Sequence, residues 1–257
     1  MAARVVAFVN QKGGVGKTTT ALNLAAGLGR LDQRVLLVDL DPQANATSAA
    51  GVDGTDVPGV YQMLMGLEPP LNCLAAVPDE QLTVVPSSTA LAGAEVELVP
   101  LMARERKLAA ALDALRERFD WIFIDCPPSL GLLTINALTA ADSVIIPVQC
   151  EYMALEGLTR LLETLELVRH NLNPSLDVLG VVLTMFDPRT RLAQQVVDEV
   201  RGHFKETAFA TVIPRAVRLS EAPSHGKTIF QYEPGGRGAT AYGALASELL
   251  ARVQVAV

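Results

Sequence analysis

The chain has 257 residues and a formal charge of −7, with half of its residues apolar and 19% charged. That much apolar surface supplies a large core and excludes wholesale disorder, and the length fits one large domain or two small ones. The acidic balance excludes a polyanion binder that uses its whole surface, although the stretch 189–237 is net +3 while the rest is −10.

No apolar run reaches the ~20 residues of a spanning helix. Gln11 and Lys12 interrupt the first apolar run too early for a signal peptide. Cys73, Cys126 and Cys150 are too widely spaced for a disulfide framework or a close metal cluster, which fits a reduced, cytoplasmic protein.

Strand-like and helix-like segments alternate along the chain. Residues 5–10 form a short apolar run expected as a buried strand. Residues 18–31 carry Ala21, Leu22, Ala25, Leu28 and Leu31 at helical spacing. A second buried strand is expected at 35–39. Prolines break the pattern over 52–100, leaving a short helix at 60–65 and a strand at 82–86. Leu108, Leu112, Leu115 and Phe119 again repeat as a helix. Strands follow at 121–125 and 143–147, then a helix on Leu155, Leu158, Leu162, Leu165 and Val168. A strand at 178–186, a helix at 192–204, a strand at 210–214 and a helix at 239–253 complete the chain. Fully apolar strands alternating with helices predict an α/β fold, a mostly parallel twisted sheet with helices on both faces. No composition break divides the chain, so one domain over 1–257 is expected.

The strongest signal is Lys12-Gly13-Gly14-Val15-Gly16-Lys17-Thr18-Thr19, placed directly after the first strand and opening the first helix. Glycines let backbone N–H groups turn inward around a phosphate, and the helix N-terminus adds the positive end of its dipole. Lys17 can reach terminal phosphates, and the Thr18 hydroxyl can hold Mg²⁺. A dinucleotide fingerprint fails because Thr19 stands where its third glycine belongs. The general phosphate-loop pattern is also incomplete, since its first glycine would fall at Gln11.

This loop resembles the deviant Walker A of the MinD/ParA class of P-loop ATPases. The resemblance implies ATP and Mg²⁺ as cofactors, with Lys17 acting in cis and Lys12 crossing a dimer interface to the partner's phosphates. Val38-Asp39-Leu40-Asp41-Pro42-Gln43 follows the second strand. By resemblance Asp41 positions or activates the attacking water and is a further candidate near the metal, with Asp39 in support. Trp121-Ile122-Phe123-Ile124-Asp125 looks like a Walker B strand, with Asp125 reaching the metal through water.

Within that class the chain resembles the ParA/Soj chromosome- and plasmid-partitioning ATPases. The matching stretches are 10–20, 39–47, 125–130, 149–157, 183–190 and 213–227, together with 232–242. The family implies an ATP-dependent homodimer that binds double-stranded DNA without sequence preference, on the nucleoid. A ParB-type partner then stimulates hydrolysis and release. Pro214 is expected beside the adenine.

The basic segment gives DNA binding a physical basis, because cations on one face release phosphate counterions. Arg189 and Arg218 are the leading contacts by resemblance, followed by Lys227 and Arg237. Two departures from the family stand out. Ala44 replaces a usual glycine after Asp-Pro-Gln, and Ala216 replaces a common asparagine after Ile-Pro-Arg.

With nine residues before Asn10, the extra DNA-binding domain of larger plasmid relatives, and a specific-operator repressor role through it, is not expected. A MinD-like membrane ATPase that positions the division site is one alternative, and a metabolic P-loop ligase or a cellulose-synthesis accessory ATPase is a third reading, although no substrate-specific constellation is visible for either of the latter. MinD relatives end in a basic amphipathic helix, whereas 249–257 carries one cation, Arg252, and no aromatic anchor, so no membrane partner is expected.

Overall fold

A computed structural model describes residues 2–151 and 156–255. The strands are β1 (Arg4–Phe8), β2 (Val35–Asp39), β3 (Ala75–Ala76), β4 (Leu82–Val85), β5 (Trp121–Asp125), β6 (Ser143–Gln149), β7 (Asp177–Phe186) and β8 (Ala208–Pro214). They form one sheet in the order β3-β4-β2-β5-β1-β6-β7-β8. Every neighbouring pair is parallel except β3–β4.

The helices are α1 (Lys17–Gly29), α2 (Asn45–Ala49), α3 (Val60–Met65), α4 (Leu91–Glu97), α5 (Lys107–Asp113) and α6 (Leu132–Ala140). They continue as α7 (Glu156–Asn171), α8 (Arg191–Phe204), α9 (Val217–Glu221), α10 (Ile229–Tyr232) and α11 (Arg237–Val255).

Strand alternation explains why the strands read as unbroken apolar runs. Val5, Ala7, Leu36, Val38, Ile122 and Ile124 face one core, packed with α3 to α8. Val6, Phe8, Leu37, Trp121, Phe123 and Ile145 face the other, packed with α1 and α11. Each face is dry, so the period of two carries no polar residues to reveal it.

The α/β expectation therefore holds. β1 ends at Phe8 rather than at Asn10, because the chain leaves the sheet to form the glycine loop. The helix expected to run to Leu31 ends at Gly29, after which Asp32 turns at φ 59°. In the stretch from Leu108 to Phe119 the helix ends at Asp113, and Leu115 and Phe119 are buried from the turns that follow. Leu155, and part of the 149–157 match, lie outside the described residues; α7 carries the other four periodic positions. α6 has no counterpart among the elements expected from sequence. It buries Leu133, Asn136, Ala137, Leu138 and Ala140 around most of its circumference, which erases helical periodicity.

This topology makes a switch point. From β1 the chain crosses to β2 on one side, and from β5 it crosses over β1 to β6 on the other. The loops after β1, β2 and β5 open together at the carboxyl ends of the strands, where open α/β sheets bind ligands.

Candidate nucleotide site

The loop between β1 and α1 is pinned at both sides. Asn10 donates from Nδ2 to the Pro147 carbonyl at 2.7 Å and accepts the Lys12 N–H at 3.0 Å. The Thr184 hydroxyl donates to the Val15 carbonyl at 2.8 Å. Gly14 and Gly16 sit at φ 75° and 84°, the left-handed region that favours glycine. α1 then starts at Lys17 with no side-chain cap and no acidic residue in its first turn. Its free N–H groups and dipole are left for an anion. Lys17 is buried beneath this turn, whereas Lys12 is exposed at the loop's outer edge.

Three carboxylates close the opposite wall. Asp39 and Asp125 end adjacent strands and face each other in register. Asp39 is fully bonded: Oδ2 accepts the Thr47 hydroxyl at 2.7 Å and the Thr47 N–H at 2.8 Å, and Oδ1 accepts the Asp41 N–H at 3.2 Å. Burial pushes its carboxyl up to about 6 against those bonds.

Asp125 is equally buried, yet among the described residues neither of its oxygens has a hydrogen-bond partner. Burial, and then the charge of Asp39, push it up to about 8; the neighbouring Thr18 hydroxyl and the Lys17 ammonium pull it back. A buried carboxylate with open lone pairs beside a threonine hydroxyl is the donor set that a hydrated divalent cation fits.

A cavity of about 610 Å³ runs from Gly13 and Lys17 past Asp41, Gln43 and Pro128 to Lys227. A second, of about 450 Å³, adjoins it and is walled by Ile213, Pro214, Ala216 and Tyr242. Gly16, Thr19, Met185 and Pro223 border both. The first has phosphate-binding walls, and the second is apolar enough for a base. Met185 stands between them at φ 54°, a strained backbone for a long side chain.

Sequence reasoning missed Thr47, Ser87, Thr184 and Met185, which hold the walls. Thr47 and the pair Thr184 and Met185 lie inside stretches that match the family, but a lone threonine, serine or methionine carries no periodic signal of its own. Ala44 occupies the left-handed region at φ 53°, so the alanine sits where a glycine is conformationally easier. Ala216 is extended and lines the base-sized cavity.

The basic candidates lie on four separate segments of the chain. Lys227 lines the phosphate cavity, and Arg237 lies at the start of α11. Arg189 forms a two-pronged ion pair with Asp187, and this pairing holds the Asp187 carboxyl down at about 2. Arg218 pairs with Glu221 at 2.7 Å and Glu233 at 3.7 Å, over the Tyr232 ring.

Behind the cavity, the turn after α2 meets the 222–227 turn backbone to backbone. Gly51 (φ +70°) and Gly226 (φ +59°) lie so close that a Cβ on Gly51 would sit 2.5 Å from the Gly226 carbonyl oxygen.

A glycine loop that opens a helix beneath a buried lysine, facing strand-end carboxylates at a switch point, defines a P-loop nucleoside-triphosphatase fold and site. A family described as AAA domain matches residues 3–178. The chain is 55% identical to sporulation initiation inhibitor protein Soj of Bacillus subtilis, over 96% of this chain and 98% of that one. It is 55% identical to chromosome-partitioning ATPase Soj of Thermus thermophilus, over 98% of both. A cobyrinic acid a,c-diamide synthase from Mycobacterium smegmatis, solved with ADP and magnesium, superposes with a TM-score of 0.87 at 38% identity, over 99% of this chain and 97% of that one. The chain belongs to the ParA/Soj family of partitioning ATPases. Among the described residues no helix is long and apolar enough to cross a membrane.

Proposed function

We propose that the chain is an ATP-dependent DNA-segregation ATPase whose ATP-bound homodimer grips double-stranded DNA without sequence preference. The observation that carries the nucleotide chemistry is the buried Lys17 at an uncapped helix N-terminus, facing the unpartnered Asp125. The two Soj relatives, at 55% identity over nearly the whole chain, weigh toward partitioning over the 38% identical synthase.

Gly13 to Thr19 cradle the phosphates with their N–H groups. Thr18, and Asp125 through water, hold Mg²⁺, whose charge neutralises the phosphate oxygens. Lys17 stabilises the terminal phosphate in cis. Lys12, exposed at the loop's edge, serves the partner subunit's nucleotide. Asp41 lines the phosphate cavity and orients the attacking water. Pro214 borders the base. Arg189, Arg218, Lys227 and Arg237 meet DNA phosphates, and pairing two modest patches in a dimer multiplies their grip. A ParB-type protein stimulates turnover and release. The site of action is the cytoplasmic nucleoid.

The test is DNA binding and molecular mass measured without nucleotide, with ADP and with a non-hydrolysable ATP analogue, beside liposome co-sedimentation. Dimers that bind DNA only with the triphosphate support the proposal. Single copies throughout overturn it, as does tight liposome binding with no DNA binding.

A further inference from the structure

We propose that Ser87 is a positioning residue for hydrolysis, acting through the main chain of Asp41; this rests on the reading of Asp41 given above. β4 pairs with β2 in parallel, with Val85 opposite Val38. Two residues further along, Ser87 arrives beside the loop that carries Asp41, buried to 2% exposure.

Its hydroxyl donates to the Asp41 carbonyl at 2.8 Å. Its N–H donates to the Thr47 hydroxyl oxygen at 2.9 Å. The Thr47 hydroxyl in turn donates to Asp39, and Asp39 accepts the Asp41 N–H. The circuit closes on Asp41, so both of its main-chain polar groups are held. Its side chain is further fixed by accepting the Gln43 N–H at 2.9 Å.

Each donor in the circuit has one acceptor, so the bonds form a connected polar network. Ser87 ties the Asp41 carbonyl to the end of β4, whereas the Ala44 N–H, its other donor, ties it only within the loop. Removing the Ser87 hydroxyl leaves the Asp41 carbonyl held only by the Ala44 N–H of its own loop, at 2.9 Å, and loosens the tie between that loop and the end of β4. A displacement of about an ångström at a water-orienting group costs rate far more than binding. The phosphate loop lies on the other wall of the cavity, so nucleotide affinity is expected to stay.

The experiment measures steady-state ATP turnover, affinity for a non-hydrolysable ATP analogue, and thermal stability, for S87A, S87T and D41A. Expected are a kcat roughly tenfold or more lower in S87A, with KM and analogue affinity within about twofold, and most of the rate restored in S87T. S87G serves as a second variant lacking the hydroxyl should S87A fail to fold. A normal kcat in a folded S87A, an equal loss in KM, or no restoration in S87T overturns the role of Ser87. Slow D41A beside normal S87A overturns Ser87 alone, whereas normal turnover in D41A removes Asp41 and Ser87 together.

Discussion

Asp39 and Asp125 are register partners at the carboxyl ends of two adjacent parallel strands, and among the described residues only the first has its oxygens hydrogen-bonded. The two carboxylates are equally buried, so the difference in bonding separates their work. Asp39 is occupied holding Thr47 and Asp41 in place. Asp125 keeps its lone pairs for something the fold alone does not supply.

Their acidities make this testable through pH. Both carboxyls lie above the ordinary value near 4, at about 6 and about 8. The folded state therefore binds more protons than the unfolded one, and stability falls as pH rises through those values. The Tm of the ligand-free protein is expected to decline from pH 5 to pH 9. Asp125→Asn should flatten the upper part of that decline and weaken Mg²⁺-dependent nucleotide binding. Calorimetry across pH checks this; an unchanged slope in the variant contradicts it.

Lys17→Ala removes the buried cation and leaves the carboxylates facing uncompensated phosphate. Nucleotide affinity should fall at least ~30-fold, the scale of truncating one partner of a buried charge pair. Fluorescent-nucleotide titration reads this directly, and retained affinity would contradict the loop assignment.

Asp41→Ala leaves the phosphate loop intact. The variant should bind ATP and dimerise while hydrolysing ~10²- to 10⁴-fold more slowly, the range expected for losing a positioned proton acceptor. It should accumulate on DNA in a pelleting assay with ATP.

Arg218→Glu should spare dimerisation and weaken DNA binding, with a salt slope smaller by about one for each DNA phosphate it no longer neutralises. A slope equal to that of the unaltered protein would move the DNA-binding surface elsewhere. In the free protein Glu221 and Glu233 already share this guanidinium.

Ala44→Gly relieves a left-handed backbone at φ 53° but adds freedom to the unfolded chain. The two effects nearly offset, so the expected change is a gain below about 1 kcal/mol. Chemical denaturation measures it, and a clear loss of stability would show that the alanine methyl packs usefully.

Much of this architecture is legible in the sequence because strands buried on both faces become unbroken apolar runs, and the phosphate loop has a chemistry that few other sequences satisfy. Val35–Asp39 and Trp121–Asp125 are readable to the residue for that reason. α6 is not, since a helix buried around most of its surface has no stripe. Ser87 and Thr47 are not, since their importance lies in hydrogen bonds to residues 46 and 8 positions away. The ion pairs that occupy Arg189 and Arg218 likewise become visible only in three dimensions.

The Gly51–Gly226 junction joins the segment bearing Asp41 to the turn bearing Lys227 with nothing compressible between them. Side chains rotate to absorb a displacement, but two backbones in contact transmit it. A shift of α2 would press directly on the neighbouring turn, which couples the floor of the cavity to its cationic flank through a bare peptide fulcrum.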